Sequence, residues 1–302
     1  MKKMSKTIVF FGSGPVAAAS LALLSNDFEI EAVITKPQPE HHKEPFPVIA
    51  LAEKLHINIM TANTQEELSS VFESHAFESQ VGVIIDHGII IEQKVIDTFK
   101  FGIVNSHFSL LPRWRGADPI SFSILNGDQE TGVSIMVIVD RLDEGDLLIQ
   151  AKHSITSETT TPSLTNDLIQ LSHKLLVASL PEYLDGTLTP FPQANEKPTY
   201  SHKLTKKDGV LDWNKPALQL DREIRAYLGW PRSRTSIAGI DIIITKAHPE
   251  PKSGAPGTLS TDNNTLAVYC NPGHLVIDML IPAGKKEMPA RAFLNGYNIR
   301  SN

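Results

Sequence analysis

The residue types best placed to do chemistry in this chain are an asparagine and a histidine two apart, Asn105 and His107, at the end of an apolar run in GIVNSHFSLLPRWRG. On a strand, positions i and i+2 project to the same side, so these two side chains converge on one volume. Asparagine brings a neutral hydrogen-bond donor, and histidine a donor that can also carry charge. A carboxylate from the turn RLDEGD, Asp143 or Asp146, can reach the same place and accept a proton or orient a water. Those are the parts needed for acyl transfer through a tetrahedral oxyanion with no covalent intermediate. Spacing alone also allows a plainer reading, in which the same groups are strand-end polar residues satisfied locally.

Other candidate motifs lead elsewhere. GSGPVA places Gly12, Gly14 and Ala17 in the loose dinucleotide pattern, but the next strand ends in Ile34-Thr35-Lys36, without the acidic residue that would hold a ribose. A tight strand-to-helix turn is expected there instead. His41 and His42 are adjacent in a loop, a spacing that does not aim both rings at one metal, so no metal site is expected. No phosphate-binding GxxxxGK[ST], no HExxH and no serine or cysteine nucleophile motif is present.

The elements that must position Asn105 and His107 alternate along the chain. Runs from Thr7 to Gly12, Glu29 to Pro37, Val81 to Ile91 and FGIVNSH have the apolar, β-branched character of buried strands, separated by helical stretches such as VAAASLALL and VIALAEKLHI. Such alternation predicts right-handed βαβ units and an α/β fold with a Rossmann-like, mostly parallel sheet. Thr131 to Asp140 and Asp146 to Ile155 predict a strand pair joined by RLDEG, and Pro162 to Leu184 a long helix that closes the first domain. Residues 186–202 hold three prolines and few apolar residues, and predict a linker. Residues 1–185 then form the catalytic domain. Beyond the linker, the helix LDREIRAYL and several short strands predict a small β-barrel of the oligonucleotide-binding type over residues 203–302.

Composition sets the outer limits. At 302 residues, 41% apolar and 21% charged, the chain is long enough for two packed domains. One cysteine, Cys270, makes no internal disulfide, and no apolar run approaches the roughly 20 residues that cross a bilayer, so a cytoplasmic location with no membrane role is expected. The net charge of −6 hides a split: residues 1–200 carry 14 basic against 25 acidic side chains, whereas residues 201–302 carry 14 against 9. A basic last third on an acidic body suggests a surface for a polyanion.

NSHFSLLPRWRGADPI, followed by TGVSIM and LDEGD, resembles the folate-dependent formyltransferases that use 10-formyltetrahydrofolate. The resemblance extends through FFGSGPVAAASL, SHKLTKKDGVLDW, IRAYLGWP and the terminal AGKKEM…FLNG, the last pointing to the branch whose acceptor is methionine esterified to initiator tRNA. It implies that Asn105 and His107 polarise the formyl carbonyl while Asp143 orients a water or sets the protonation of His107, with Asp146 structural. Gly88, Ile89, Ser109, Leu110, Leu111 and Pro112 would lie against the folate. Lys203, Lys206, Lys207, Arg232, Arg234, Lys285 and Lys286 would meet tRNA phosphates, and Arg113 and Arg115 either face tRNA or brace their own turn. A monomer is expected. The chain departs from the family in two places: residues 36–47 lack a basic, glycine-rich insertion, and Asp86-His87-Gly88 stands where Ala-Tyr-Gly is usual. A nucleotide-amino-sugar formyltransferase and an inactive RNA-binding relative are the alternative readings.

Overall fold

The computed structural model describes residues 7–38, 46–194, 197–297 and 299. His41, His42 and most of the 36–47 loop lie outside the described residues. The chain packs as two compact units. One comprises Met1–Pro119, Glu130–Ser154 and Thr165–Ser201; the other comprises Ile120–Gln129, Ile155–Leu164 and His202–Asn302.

The first unit is built on β1 (Thr7–Phe11), β2 (Glu29–Thr35), β3 (Asn58–Thr61), β4 (Gly82–Ile84), β5 (Ile103–His107), β6 (Arg115–Gly116), β7 (Glu130–Val137), β8 (Leu147–Ser154) and β9 (Tyr200–Ser201). Seven of these form one sheet in the order β3-β2-β1-β4-β5-β7-β8. The first five run parallel, and β7 and β8 close the edge antiparallel. Between them run α1 (Pro15–Leu24), α2 (Pro47–Lys54), α3 (Gln65–Ser74) and α4 (Gln93–Ile96); α5 (Pro119–Leu125), from Ile120 on, belongs to the second unit, as does the first turn of α6 (Thr161–Asp185), whose remainder is in the first. One face of the sheet buries Val9, Phe11, Ile34 and Ile103 against Leu68, Val95 and Phe99 from the flanking segments. Burying several such side chains, each worth about 1.5–3 kcal/mol, is what drives these apolar runs into the sheet. Strand order reverses between β1 and β4, and the crevice at the carboxyl ends beside such a switch is where open α/β sheets bind ligands.

One strand is much shorter than its sequence suggests. The apolar run from Val81 to Ile91 is a strand only over Gly82–Ile84. Asp86 (φ 52°) and Gly88 (φ 74°) take left-handed conformations that end the extended chain, and Ile90 is left in solvent. Within residues 186–202 the chain is laced to the first unit: Phe191 exchanges backbone bonds with Leu147, and β9 pairs parallel with β6.

The second unit carries α7 (Ala217–Ala226), then β10 (Ser233–Ile237), β11 (Ile240–Glu250), β12 (Leu259–Ser260), β13 (Leu266–Tyr269), β14 (His274–Pro282), β15 (Met288–Pro289) and α8 (Ala290–Tyr297). The strands form a six-stranded antiparallel sheet, β10-β11-β14-β13-β12 with β15 on β14, bulged near Lys246 in β11. Bulges bend a strand and so favour the coiled, barrel-like form. Leu220 and Ile224 of α7 join Ile242, Ile244, Leu275 and Phe293 in the core. No helix among the described residues is long and apolar enough to cross a membrane.

Candidate active site

His107 ends β5, next to the switch point, and Asn105 lies two residues before it, roughly 7 Å along the strand. Asn105 is half-buried and its carboxamide has no protein partner among the described residues, so both its amide hydrogens are available to a ligand. His107, by contrast, is buried and held. Its Nε2 lies 2.9 Å from the carbonyl oxygen of Trp114, which can only accept, so Nε2 carries a hydrogen. In the neutral ring the lone pair is then on Nδ1, which faces Asp143 Oδ2 at 3.7 Å.

Asp143 is itself fixed from the other side, because the backbone N–H of Gly116 donates to its Oδ2 at 2.8 Å. Gly116 has φ 111°, and a Cβ there would collide with the Ser201 carbonyl, so the donor depends on glycine. Arg115 is buried, and its guanidinium spans the neighbouring turn: Nη1 donates to Glu144 Oε1 at 2.7 Å and Nη2 to Gln193 Oε1 at 2.8 Å. The Gln193 amide in turn donates to the carbonyls of Asp143 (2.7 Å) and Gly145 (3.0 Å). Arg115 thus braces the LDEG turn. Arg113 is exposed and stacks its guanidinium 4.4 Å over the Trp114 ring. Asp146 is exposed, and its carbonyl accepts the Val137 N–H at 2.9 Å, which closes the β7–β8 hairpin.

The segment after His107 is fastened to the sheet by two side chains that spacing did not single out. Ser134, fully buried on β7, donates to the Ser109 carbonyl (2.6 Å) and accepts the Leu111 N–H (3.0 Å). Gln150 donates to the Leu111 carbonyl (2.9 Å) and to Ser134 Oγ (2.8 Å). The sequence signal for this role is a polar serine inside the apolar stretch GVSIM. Thr199 holds the next stretch, accepting the Trp114 N–H on its hydroxyl and the Arg115 N–H on its carbonyl, both at 2.9 Å. Of the residues expected against a folate, Ser109, Leu111 and Pro112 are buried, Leu110 and Ile89 are half-buried, and Gly88 is exposed.

Asp86 and His87 lie just past β4, beside β5 in the parallel register that pairs Ile84 with Asn105. The Asp86 carboxylate fits against Gly14, where any Cβ would strike it, and its carbonyl accepts the Ser13 N–H at 3.0 Å. The glycines of GSGPVA therefore make room for a neighbouring loop. Crowding by protein, with the Asp118 charge adding to it and Lys36 opposing it, pushes the Asp86 carboxyl up to about 6, although its rim is still accessible. His87 is buried with neither ring nitrogen bonded and packs edge-on to Phe11 at 5.7 Å. Burial, aided by the Lys36 charge, pulls it down to about 4, so the ring is neutral and apolar in effect.

In the second unit, two of the expected basic segments come together. The Arg234 N–H donates to the Gly209 carbonyl (2.6 Å), its guanidinium donates to the Lys206 carbonyl, and the Leu211 N–H donates to the Arg234 carbonyl (3.0 Å). Lys206, Lys207 and Arg232 are consequently neighbours, all exposed, with Lys203 exposed earlier in the same loop and Arg234 half-buried. Lys285 and Lys286 are exposed beyond β14, near Asp241, whose carbonyl accepts the Ala283 N–H. Asp241 pairs with Ser236, two residues along β10 from Arg234, so these lysines lie toward the other end of that strand. The seven cations thus form two clusters.

Residues 6–180 match the formyl transferase family, and residues 203–298 match the formyl transferase C-terminal domain. Fold and site together define an enzyme of formyl transfer. A methionyl-tRNA formyltransferase of Roseiflexus castenholzii is 35% identical to the chain over 98% of its length and 97% of the relative's. One from Myxococcus xanthus is 35% identical over 97% and 95%. The chain belongs to the methionyl-tRNA formyltransferase family. Among solved structures, an N-formyltransferase from Helicobacter canadensis in complex with folinic acid and dTDP-3-aminofucose aligns with a TM-score of 0.68 at 19% identity, covering 91% of this chain and 99% of that one. At that identity the likeness speaks for the fold alone.

Proposed function

We propose that this enzyme transfers the formyl group of 10-formyltetrahydrofolate to the α-amino group of methionine esterified to initiator tRNA. The observation that carries the reading is the pairing, at the carboxyl end of β5, of an unengaged Asn105 carboxamide with a His107–Asp143 pair fixed by backbone groups. The neutral amine attacks the formyl carbon, and the carbonyl oxygen gains charge as the tetrahedral adduct forms. Asn105 donates a hydrogen bond to that oxygen, an interaction that strengthens as the charge develops. With Nε2 tied to Trp114, His107 presents Nδ1 toward Asp143, and an N–H or O–H between them is held by both acceptors. The pair therefore receives the proton that the amine sheds. The adduct collapses with cleavage of the carbon–N10 bond, and N10 takes up a proton. An α-amine titrates near 7.7 to 8.0, so a sizeable fraction is already neutral at physiological pH and no strong base is required.

Ser109 to Pro112 with Gly88 and Ile89 form the wall for the folate, residues 1–185 carry catalysis, and residues 203–302 hold the RNA. The protein acts as a cytoplasmic monomer. Supplying 10-formyltetrahydrofolate with either methionyl-tRNA or an amino-sugar nucleotide, and following formylation of each, tests the reading. Formylation of the tRNA alone is expected. Formylation of the sugar alone, or of neither, contradicts it.

A further inference from the structure

Next to the Lys206–Arg232 cluster lies a large aromatic side chain that the catalytic site does not use. Trp230 is 58% exposed, although its one polar atom is satisfied: the indole N–H donates to the Leu204 carbonyl at 3.3 Å. Val210, bridged to Arg234, is equally exposed. A tryptophan with its N–H bonded inward and its ring in water offers a partner only its flat apolar face, and a fixed one. The two segments that frame it are tied together by the bonds of Trp230 to Leu204, Arg234 to Gly209 and Lys206, and Leu211 to Arg234. The cations beside the ring, Lys206, Lys207 and Arg232, form no ion pair among the described residues. The nearest acid in the loop, Asp208, turns its carboxylate to the N–H and hydroxyl of Thr205, both at 2.7 Å.

We infer that Trp230 is a stacking platform for an unpaired nucleotide of the RNA, with Lys206, Lys207 and Arg232 taking the flanking phosphates. An apolar protein partner would want the ring but not the three positive charges around it. A polyanion with exposed bases satisfies both, because every base has a π-face and every phosphate a charge. The inference rests on the proposed tRNA acceptor and deepens it by adding an interaction that is not electrostatic.

The test titrates tRNA, and separately a single-stranded oligoadenylate of about ten nucleotides, into the full-length protein and its variants, reading affinity and tryptophan emission. Trp114 is buried and Trp213 partly buried, so quenching on binding reports chiefly on Trp230. Trp230→Leu is expected to weaken both RNAs about tenfold. Trp230→Phe keeps a ring to stack on and should stay within about threefold of wild type while losing the quench, which separates stacking from damage to the fold. Wild-type affinity in Trp230→Leu, alongside weakened binding in the Lys206→Glu/Lys207→Glu double variant, overturns the stacking role and leaves the tRNA reading standing. If the wild-type protein binds neither RNA, the tRNA reading fails and the platform with it.

Discussion

The turn that holds Asp143 and the loop that carries Lys206 use charge in opposite ways. In the first, Arg115 is buried and spends its guanidinium on Glu144 and Gln193, and Asp143 takes a backbone N–H, so the polar groups are fixed before any ligand arrives. In the second, the backbone is just as well bonded, but Lys206, Lys207 and Arg232 extend into solvent with no ion pair among the described residues. Chemistry on a carbonyl needs donors placed within a fraction of an ångström, because misplacement is costly in rate. Attraction of a phosphate backbone needs charge but not a rigid geometry, and it fades with salt. The contrast separates a region that should govern turnover from one that should govern affinity.

The largest expected effect is at Asn105, whose carboxamide has no protein partner among the described residues. Asn105→Ala should lower turnover by about 10² to 10³, the usual loss for one oxyanion donor. Single-turnover formylation measures it, and a change below about threefold would remove Asn105 from the chemistry. Arg115→Met should be felt in stability as well, by about 1–3 kcal/mol, since it leaves Gln193 Oε1 without its donor and loosens the turn that holds Asp143, while Glu144 keeps Arg141. Urea denaturation together with the turnover assay checks this; a variant as stable and as active as wild type would show that the brace is idle. Reversing charge with Lys206→Glu/Lys207→Glu should weaken tRNA binding and flatten its salt dependence, by roughly one unit of log–log slope for each phosphate left without its cation. An unchanged slope would place the RNA elsewhere.

The smallest effects concern pH and the Asp86-His87 pair. Asp86 rises from an ordinary 3.8 to about 6 on folding, so between those values the folded state holds the extra proton and stability falls as pH rises. His87 drops from 6.5 to about 4, so over nearly the same range the unfolded state holds the extra proton and stability rises with pH. The two slopes oppose each other in the wild type. Asp86→Asn should leave stability climbing from pH 4 to 6.5, and His87→Phe should leave it falling from pH 4 to 6. Parallel slopes in the two variants would mean that at least one of the groups does not titrate as its surroundings imply.

Much of this was legible in the sequence, for identifiable reasons. The strand at Thr7–Phe11 is a short, buried, largely apolar run, the one at Ile103–His107 begins on Ile103 and Val104, and the i, i+2 period alone puts Asn105 and His107 on one side. The run from Val81 to Ile91 misleads, because composition does not reveal that Asp86 turns left-handed. The helix Gln65–Ser74 is weakly marked by its mostly polar sequence, and its clearest local signal is the Thr64 side chain that accepts the Glu67 N–H at its start. Least visible were the long-range ties: Gln193 and Thr199 sit in a proline-rich stretch that predicts a linker, yet they bond to the turns that hold Asp143 and Trp114. Such ties depend on which loops fold together, which local pattern does not encode. Trp230 is hidden for the same reason, since exposure of an aromatic follows from tertiary packing.

One measurement tests the division of labour most directly: turnover and KM for methionyl-tRNA, determined side by side for Asn105→Ala and for Lys206→Glu/Lys207→Glu. The expected result is a split, with kcat lost and KM for the RNA nearly kept in the first variant, and KM raised with kcat nearly kept in the second. If both variants lose kcat alike at unchanged KM, or both raise KM alike, the two regions do not have separate duties and the account is wrong.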